Sequence, residues 1–205
     1  MPSTLHTLLT LVAAAIVSTG SAAISMPLSH FSEDLPAYHA VSSGVFRGGQ
    51  PSLAGLSKLK EQGIKTIVSF RTSRQVIQIE SKETERLGMQ FVSIPLSGIG
   101  KPSDETVERF LSVVQDPSMQ PVFIHCEWGQ DRTGAMLGIY RQAAQHWSAE
   151  QAYREMLQLG FHPKYAWLCD AVFDFEVRSG KRPSPGRPFG VKVFDSINKV
   201  VSVLD

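Results

Sequence analysis

Between residues 53 and 160 the spacing of apolar positions changes repeatedly, and the changes predict helices alternating with strands. Leu53, Leu56 and Leu59 recur at helical spacing, and the stripe stops at Gly63. Lys65 to Phe70 (KTIVSF) is then a short run with β-branched residues, as a strand requires. A charged segment from Ile79 to Leu87 closes at Gly88 and gives way to a second strand, Gln90 to Pro95 (QFVSIP). Ser103 reads as an N-cap, with Asp104 and Glu105 in the first turn and Val107, Phe110, Leu111 and Val114 on one face. Pro121 to His125 (PVFIH) is continuously apolar, the pattern of a strand buried on both sides. A helix from about Thr133 to Gln145 follows, and Ser148 with Gln151 forms a capping box for another that ends at Gly160. This alternation predicts an α/β fold with a mostly parallel central sheet flanked by helices. Ligands of such sheets bind beyond the C-terminal ends of the strands, so the residues after Ile124 are where chemistry is expected.

The two ends depart from this pattern. The first 23 residues carry none of the 39 charged side chains of the chain. Leu8 to Val17 is a ten-residue apolar run, too short to span a bilayer comfortably, and Ser21 and Ala23 are small residues suited to a cleavage site. The expectation is a secretory signal over residues 1–23, cleaved after Ala23, and a periplasmic or secreted product without stable membrane insertion. An apolar helix retained in the fold is the alternative. Ser179 to Pro188 (SGKRPSPGRP) has the composition of a linker. Val193, Phe194, Ile197, Val200, Val201 and Leu204 follow at helical spacing, as in a short amphipathic tail. The domain reading is therefore 1–23 signal, 24–178 catalytic domain, and 179–205 linker and tail.

Composition removes several function classes. With 20 Lys+Arg against 19 Asp+Glu, the net charge of +1 provides no global attraction for nucleic acid or an anionic membrane. Two cysteines among 205 residues supply neither a disulfide scaffold nor a zinc cluster. Function must then reside in a local site.

That site is His125-Cys126-Glu127-Trp128-Gly129-Gln130-Asp131-Arg132-Thr133-Gly134. A cysteine at a strand end, followed five residues later by an arginine that opens a helix, suits phosphate chemistry. The loop can turn its backbone N–H groups inward, and the helix N-terminus adds to the anion site. Gly129 permits the curl, and Gly134 lets the helix begin close to the strand. Arg132 presents a planar fork for two phosphoryl oxygens. The same positive field favours a thiolate at Cys126, placed to attack phosphorus. The Thr133 hydroxyl is placed to donate to that thiolate. A buried structural thiol, or a disulfide with Cys169, is the competing reading for Cys126. Cys169 itself lies in the aromatic segment Tyr165 to Cys169 and suits a core position.

HCEWGQDRTG resembles the signature loop of the cysteine-based protein tyrosine phosphatases, in their compact dual-specificity branch. Val45 to Ser52 (VFRGGQPS) with the following GLSKLKEQGIKTIVSFR is similar to the opening of small bacterial and plant-fungal atypical dual-specificity phosphatases. Tyr140 to Gly160 resembles the region after the loop in exported bacterial members. The resemblance implies a nucleophilic Cys126, a phosphate-binding Arg132, an assisting Thr133 and substrate contacts from His125, Glu127, Trp128, Gly129, Gln130 and Gly134. It implies no metal and no cofactor. The expected activity is hydrolysis of phosphotyrosine, extending to phosphoserine and phosphothreonine, through a cysteinyl-phosphate. The partner is then a phosphorylated protein or a small phosphomonoester.

Two points stay open in the sequence. A carboxylic acid usually protonates the leaving oxygen from a loop upstream of the cysteine, yet Leu96 to Ser103 contains none. Asp104, 22 positions before Cys126, and Asp131, inside the loop, both qualify. For the substrate, an acidic Glu127 disfavours polyphosphorylated ligands by simple repulsion, while Arg71 and Arg74 act in the opposite sense. Trp128 either stacks on an aryl substrate or packs against the sheet. The alternatives are thus an inositol phosphate or phospholipid-headgroup phosphatase, a non-catalytic phosphate-binding module and, last, a sulfurtransferase.

Overall fold

A computed structural model describes residues 33–178 of the chain. The predicted signal segment and the linker with its tail lie outside the described residues.

Among the described residues there are five strands, β1 (His39–Ser42), β2 (Val45–Gly48), β3 (Thr66–Ser69), β4 (Gln90–Ser93) and β5 (Val122–His125). They form one sheet in the order β1-β2-β5-β3-β4. Only the β1–β2 hairpin is antiparallel; β2, β5, β3 and β4 run parallel. The mostly parallel α/β sheet expected from the sequence is therefore present, with an antiparallel strand added at one edge.

Among the described residues, six helices connect and cover the strands: α1 (Leu53–Glu61), α2 (Arg74–Arg86), α3 (Asp104–Gln115), α4 (Asp131–Gln145), α5 (Ala149–Gln158) and α6 (Ala166–Arg178). Ser103 caps α3 by accepting from the Thr106 N–H, and Ser148 with Gln151 completes the expected capping box of α5. Helix α2 starts earlier than the charged segment suggested, at Arg74, and α4 begins at Asp131 rather than Thr133.

Side chains alternate across a strand, so each strand feeds two separate cores. Val45, Val122 and Ile124 join Val68 and the inner faces of α3, α4, α5 and α6. On the other side, Phe123 and Ile67 pack with Leu56 and Leu59 of α1 and with Leu35 and Met89. The same alternation places Arg47 of β2 on the side of Val45, and His125 of β5 on the side of Phe123. Two polar side chains thus lie on opposite faces of the sheet beneath the segment that follows β5.

Candidate active site

The segment from Cys126 to Arg132 leaves the C-terminal end of β5 and enters the first turn of α4. Cys126 is 3% exposed, Cys169 is buried as well, and the two do not form a disulfide. Gly129 has φ +73° and Gln130 follows in the right-handed helical region. Successive residues of opposite hand turn adjacent N–H groups to one side, the geometry of an anion nest. Gly129 is required on a second ground. A Cβ there would sit 2.4 Å from the carbonyl carbon of Gly48, where the end of β2 passes beneath the loop. Gly134 is not under the same constraint. An added Cβ would make only ordinary contacts, at 3.6 Å with Met156 of α5 and 3.8 Å with Arg47 of β2, so the space there does not require glycine.

Arg132 is half-buried. Its Nη1 donates to the Phe70 carbonyl at 3.2 Å and more weakly to that of Leu96 at 3.5 Å. Both carbonyls lie just past the C-terminal ends of β3 and β4. The guanidinium is thereby fixed at the same sheet edge as the thiol. Thr133 is fully buried, and its Oγ1 has no hydrogen-bond partner among the described residues. A buried hydroxyl in that state is available to an acceptor arriving at the loop.

His125 is 0% exposed. This removes it from direct substrate contact, contrary to the expectation, and makes it a support. Its Nδ1 lies 3.0 Å from the Cys126 carbonyl oxygen and its Nε2 2.8 Å from Oε1 of Glu80, a buried carboxylate of α2. The Ser69 hydroxyl donates to the other Glu80 oxygen at 3.2 Å. On the opposite face, the buried Arg47 donates from Nη2 to the Gly129 carbonyl at 2.5 Å.

The rim is wetter. Glu127 forms an ion pair with Arg71 at 3.0 Å, so its charge is opposed rather than free to repel an anion. Arg74 is exposed at the start of α2. Trp128 is 67% exposed and does not pack against the sheet. Gln130 lies against Gly160, whose added Cβ would fall 2.8 Å from Gln130 Nε2. Asp131 accepts from the His162 N–H at 2.8 Å, and the His162 ring nitrogen Nδ1 lies 3.0 Å from the same oxygen. Asp131 is thus tied to the α5–α6 connection and not to the amides of its own loop. Asp104 is exposed at the first position of α3, where a negative charge also complements the helix N-terminus.

The structure therefore brings Cys126, Gly129, Arg132 and Thr133 together. Sequence reasoning passed over Arg47, Glu80 and His162. Arg47 does stand in the VFRGGQP segment, and a charged residue inside a short apolar strand was the available signal. Glu80 is one acid in a charged helix, and nothing in its spacing marks it as buried.

A free thiol and a fixed guanidinium at the two ends of an anion-binding loop, set on the C-terminal edge of a parallel sheet, define a cysteine-based phosphate-handling α/β domain. Residues 28–164 match the family described as DSP-PTPase phosphatase fused to NAD+ kinase. The chain belongs to this family, within the dual-specificity-like protein tyrosine phosphatase superfamily. It is 35% identical over 118 residues to NAD kinase 2, chloroplastic, of Arabidopsis thaliana, a match covering 56% of this chain and 12% of that protein. It is 30% identical over 126 residues to inositol diphosphatase DSP4 of the same plant, covering 56% of this chain and 59% of that one. To the dual specificity protein phosphatase TpbA of Pseudomonas aeruginosa it is 28% identical over 127 residues, covering 60% of this chain and 54% of TpbA. The chain thus spans little more than half the length of the latter two. The fold agrees with the core catalytic domain of the PP-IP phosphatase SIW14 from S. cerevisiae, at TM-score 0.62 and 23% identity over 71% of this chain and 89% of that one. The P. aeruginosa TpbA structure agrees at TM-score 0.58 and 22% identity, over 70% and 91%.

Proposed function

We propose that this chain is a phosphomonoesterase that hydrolyses phosphotyrosine, and phosphoserine and phosphothreonine more slowly, through a cysteinyl-phosphate on Cys126. The observation that carries the reading is the placement of buried Cys126 and half-buried Arg132 at the two ends of a loop curled by Gly129. In the first step the thiolate sulfur attacks phosphorus, and the bond from phosphorus to the substrate oxygen breaks. Arg132 and the loop amides hold the phosphoryl oxygens as charge redistributes. In the second step water attacks the phosphocysteine, releasing inorganic phosphate and the thiolate, which the Thr133 hydroxyl steadies by donation.

The leaving oxygen takes its proton from Asp104 in this reading. Asp104 stands at the first position of α3, directly after the acid-free 96–103 loop, whereas the Asp131 carboxylate lies against His162 at the α5–α6 connection. Phosphotyrosine is favoured because the variable loop positions Glu127, Trp128 and Gln130 include no cation, and exposed Trp128 offers an aromatic face at the rim. TpbA, a relative, is a dual specificity protein phosphatase.

A second reading has a specific observation behind it. The Arg71 pair cancels the charge of Glu127, which weakens the case against polyanions, and one relative is an inositol diphosphatase. Export to a periplasm or beyond the cell is part of the proposal only as the sequence expectation for residues 1–23.

The test is phosphate release from a phosphotyrosine peptide, a phosphoserine peptide and inositol polyphosphates under reducing conditions. Wild type, Cys126→Ser, Asp104→Asn and Asp131→Asn are compared. The proposal expects the highest rate on phosphotyrosine, none with Cys126→Ser, and a loss confined to poor leaving groups with Asp104→Asn. Full activity in Cys126→Ser refutes the mechanism, and a preference for inositol polyphosphates refutes the substrate.

A further inference from the structure

Arg47 is an unusual core residue. It is 2% exposed, and it ranks among the largest fully buried side chains of the described residues. Its Nη2 donates to the Gly129 carbonyl at 2.5 Å, while its buried Nε has no hydrogen-bond partner among the described residues. Burying a guanidinium is costly unless an opposite charge compensates it. The charged groups that face it are therefore informative.

Helix α5 contributes Glu155, helix α4 contributes Arg141, strand β1 contributes His39, and the end of β5 contributes Cys126. Glu155 is already claimed, because its carboxylate takes both the Nε and Nη2 of Arg141, the former at 2.9 Å. Among the groups that act on Arg47, two guanidinium groups and one carboxylate leave one positive charge in excess. His39 carries no negative charge in either protonation state, and burial and Arg47 both push its imidazole towards the neutral form. The group left to balance the charge is Cys126, once it has lost its proton.

We propose that Arg47 is a positioning residue of this site, which fixes the Gly129 carbonyl and serves as the buried counter-charge to the Cys126 thiolate. The proposal rests on the reading of Cys126 as the nucleophile. Burial pulls the Arg47 guanidinium down to about 10, and Glu155 and Cys126 pull it back up. A negative charge at Cys126 therefore favours the charged form of Arg47. Arg132 and the His125–Glu80 pair also face the loop, from the rim and from the other sheet face. Neither makes a hydrogen bond or ion pair with Arg47 among the contacts of the described residues.

The test is alkylation of Cys126 by iodoacetamide as a function of pH, read by mass on the Cys126 peptide so that Cys169 does not contribute. Hydrolysis of an aryl phosphate is followed in parallel. In Arg47→Met the alkylation rate near pH 6 should fall about tenfold, with its midpoint displaced upward. Arg47→Lys should recover most of that loss. Glu155→Gln should act in the opposite direction, because it leaves both buried guanidinium groups without a carboxylate, and the alkylation midpoint should move down. A purely structural role for Arg47 would not produce shifts of opposite sign. Coincident profiles for Arg47→Met and wild type overturn the proposal, as does a shift of the same sign in Glu155→Gln. Should Arg47→Met fail to fold by circular dichroism, the Glu155→Gln and Arg47→Lys profiles decide alone. Alkylation does not depend on turnover. Absent hydrolysis with the expected shifts refutes the phosphatase reading and supports this one, whereas turnover with unshifted profiles does the reverse.

Discussion

The floor and the rim of the loop are built differently. Beneath the loop, Arg47, His125, Glu80 and Thr133 are all buried, and two of them meet main-chain carbonyls of the loop, at Gly129 and Cys126. Above it, Glu127 and Trp128 are exposed, and an Arg71 pair at 3.0 Å is the main polar contact. Buried contacts at low local dielectric are costly to lose, whereas exposed ion pairs contribute little. The floor therefore sets whether the loop can do chemistry, and the rim adjusts which phosphate ester it prefers. Substitutions in the two layers should differ in size and in kind.

The largest effect is expected at the junction of loop and floor. Gly129→Ala forces a Cβ to within 2.4 Å of the Gly48 carbonyl carbon while holding φ at +73°. A distortion of about 2 kcal/mol at the phosphate site corresponds to a loss of roughly 30-fold or more in kcat/KM. Steady-state kinetics on an aryl phosphate measure it. An unchanged rate would mean that the curl of the loop is not needed.

Glu80→Leu comes next and should show mainly as stability. It leaves the His125 Nε2 buried without the carboxylate 2.8 Å away and deprives Ser69 of its acceptor. Urea denaturation should report a loss of about 1–3 kcal/mol. A variant as stable as wild type would show that the contact beneath the loop carries no weight.

Rim changes should be smaller and substrate-dependent. Trp128→Ala is expected to raise KM for a phosphotyrosine peptide about 2–10-fold, the equivalent of one aromatic contact, and to leave phosphoserine unaffected. Equal changes on both substrates would remove the stacking role. Arg71→Gln releases the Glu127 carboxylate and should raise KM for all anionic substrates by no more than about 5-fold, with the effect fading at high salt. A salt-independent change would contradict it.

The same division explains what could be read in the sequence. The strands β3, β4 and β5, the Ser103 cap and the Ser148–Gln151 box follow from local spacing, and so does the line from Cys126 to Arg132. The hairpin of β1 and β2 is not legible as strands, and VFRGGQPS enters only through its resemblance, because His39–Ser42 is polar at both ends with no buried position and Val45–Gly48 is broken by Arg47 and Gly48. The floor was illegible for a related reason. Glu80 meets His125 across 45 positions, and His162 meets Asp131 across 31, so neither partner carries a local mark. The rim misled in part. Glu127 alone reads as a repelling charge, and its meaning changes only when Arg71 is seen beside it.

The central claim is that Cys126 is a nucleophile that carries phosphate between substrate and water. Acid quenching of the enzyme during turnover of an aryl phosphate, followed by mass analysis of the Cys126 peptide, tests it most directly. The account predicts a phosphoryl increment on Cys126 that appears with substrate, decays when substrate is exhausted and never forms in Cys126→Ser. Turnover without that increment, together with undiminished hydrolysis by Cys126→Ser, would contradict it.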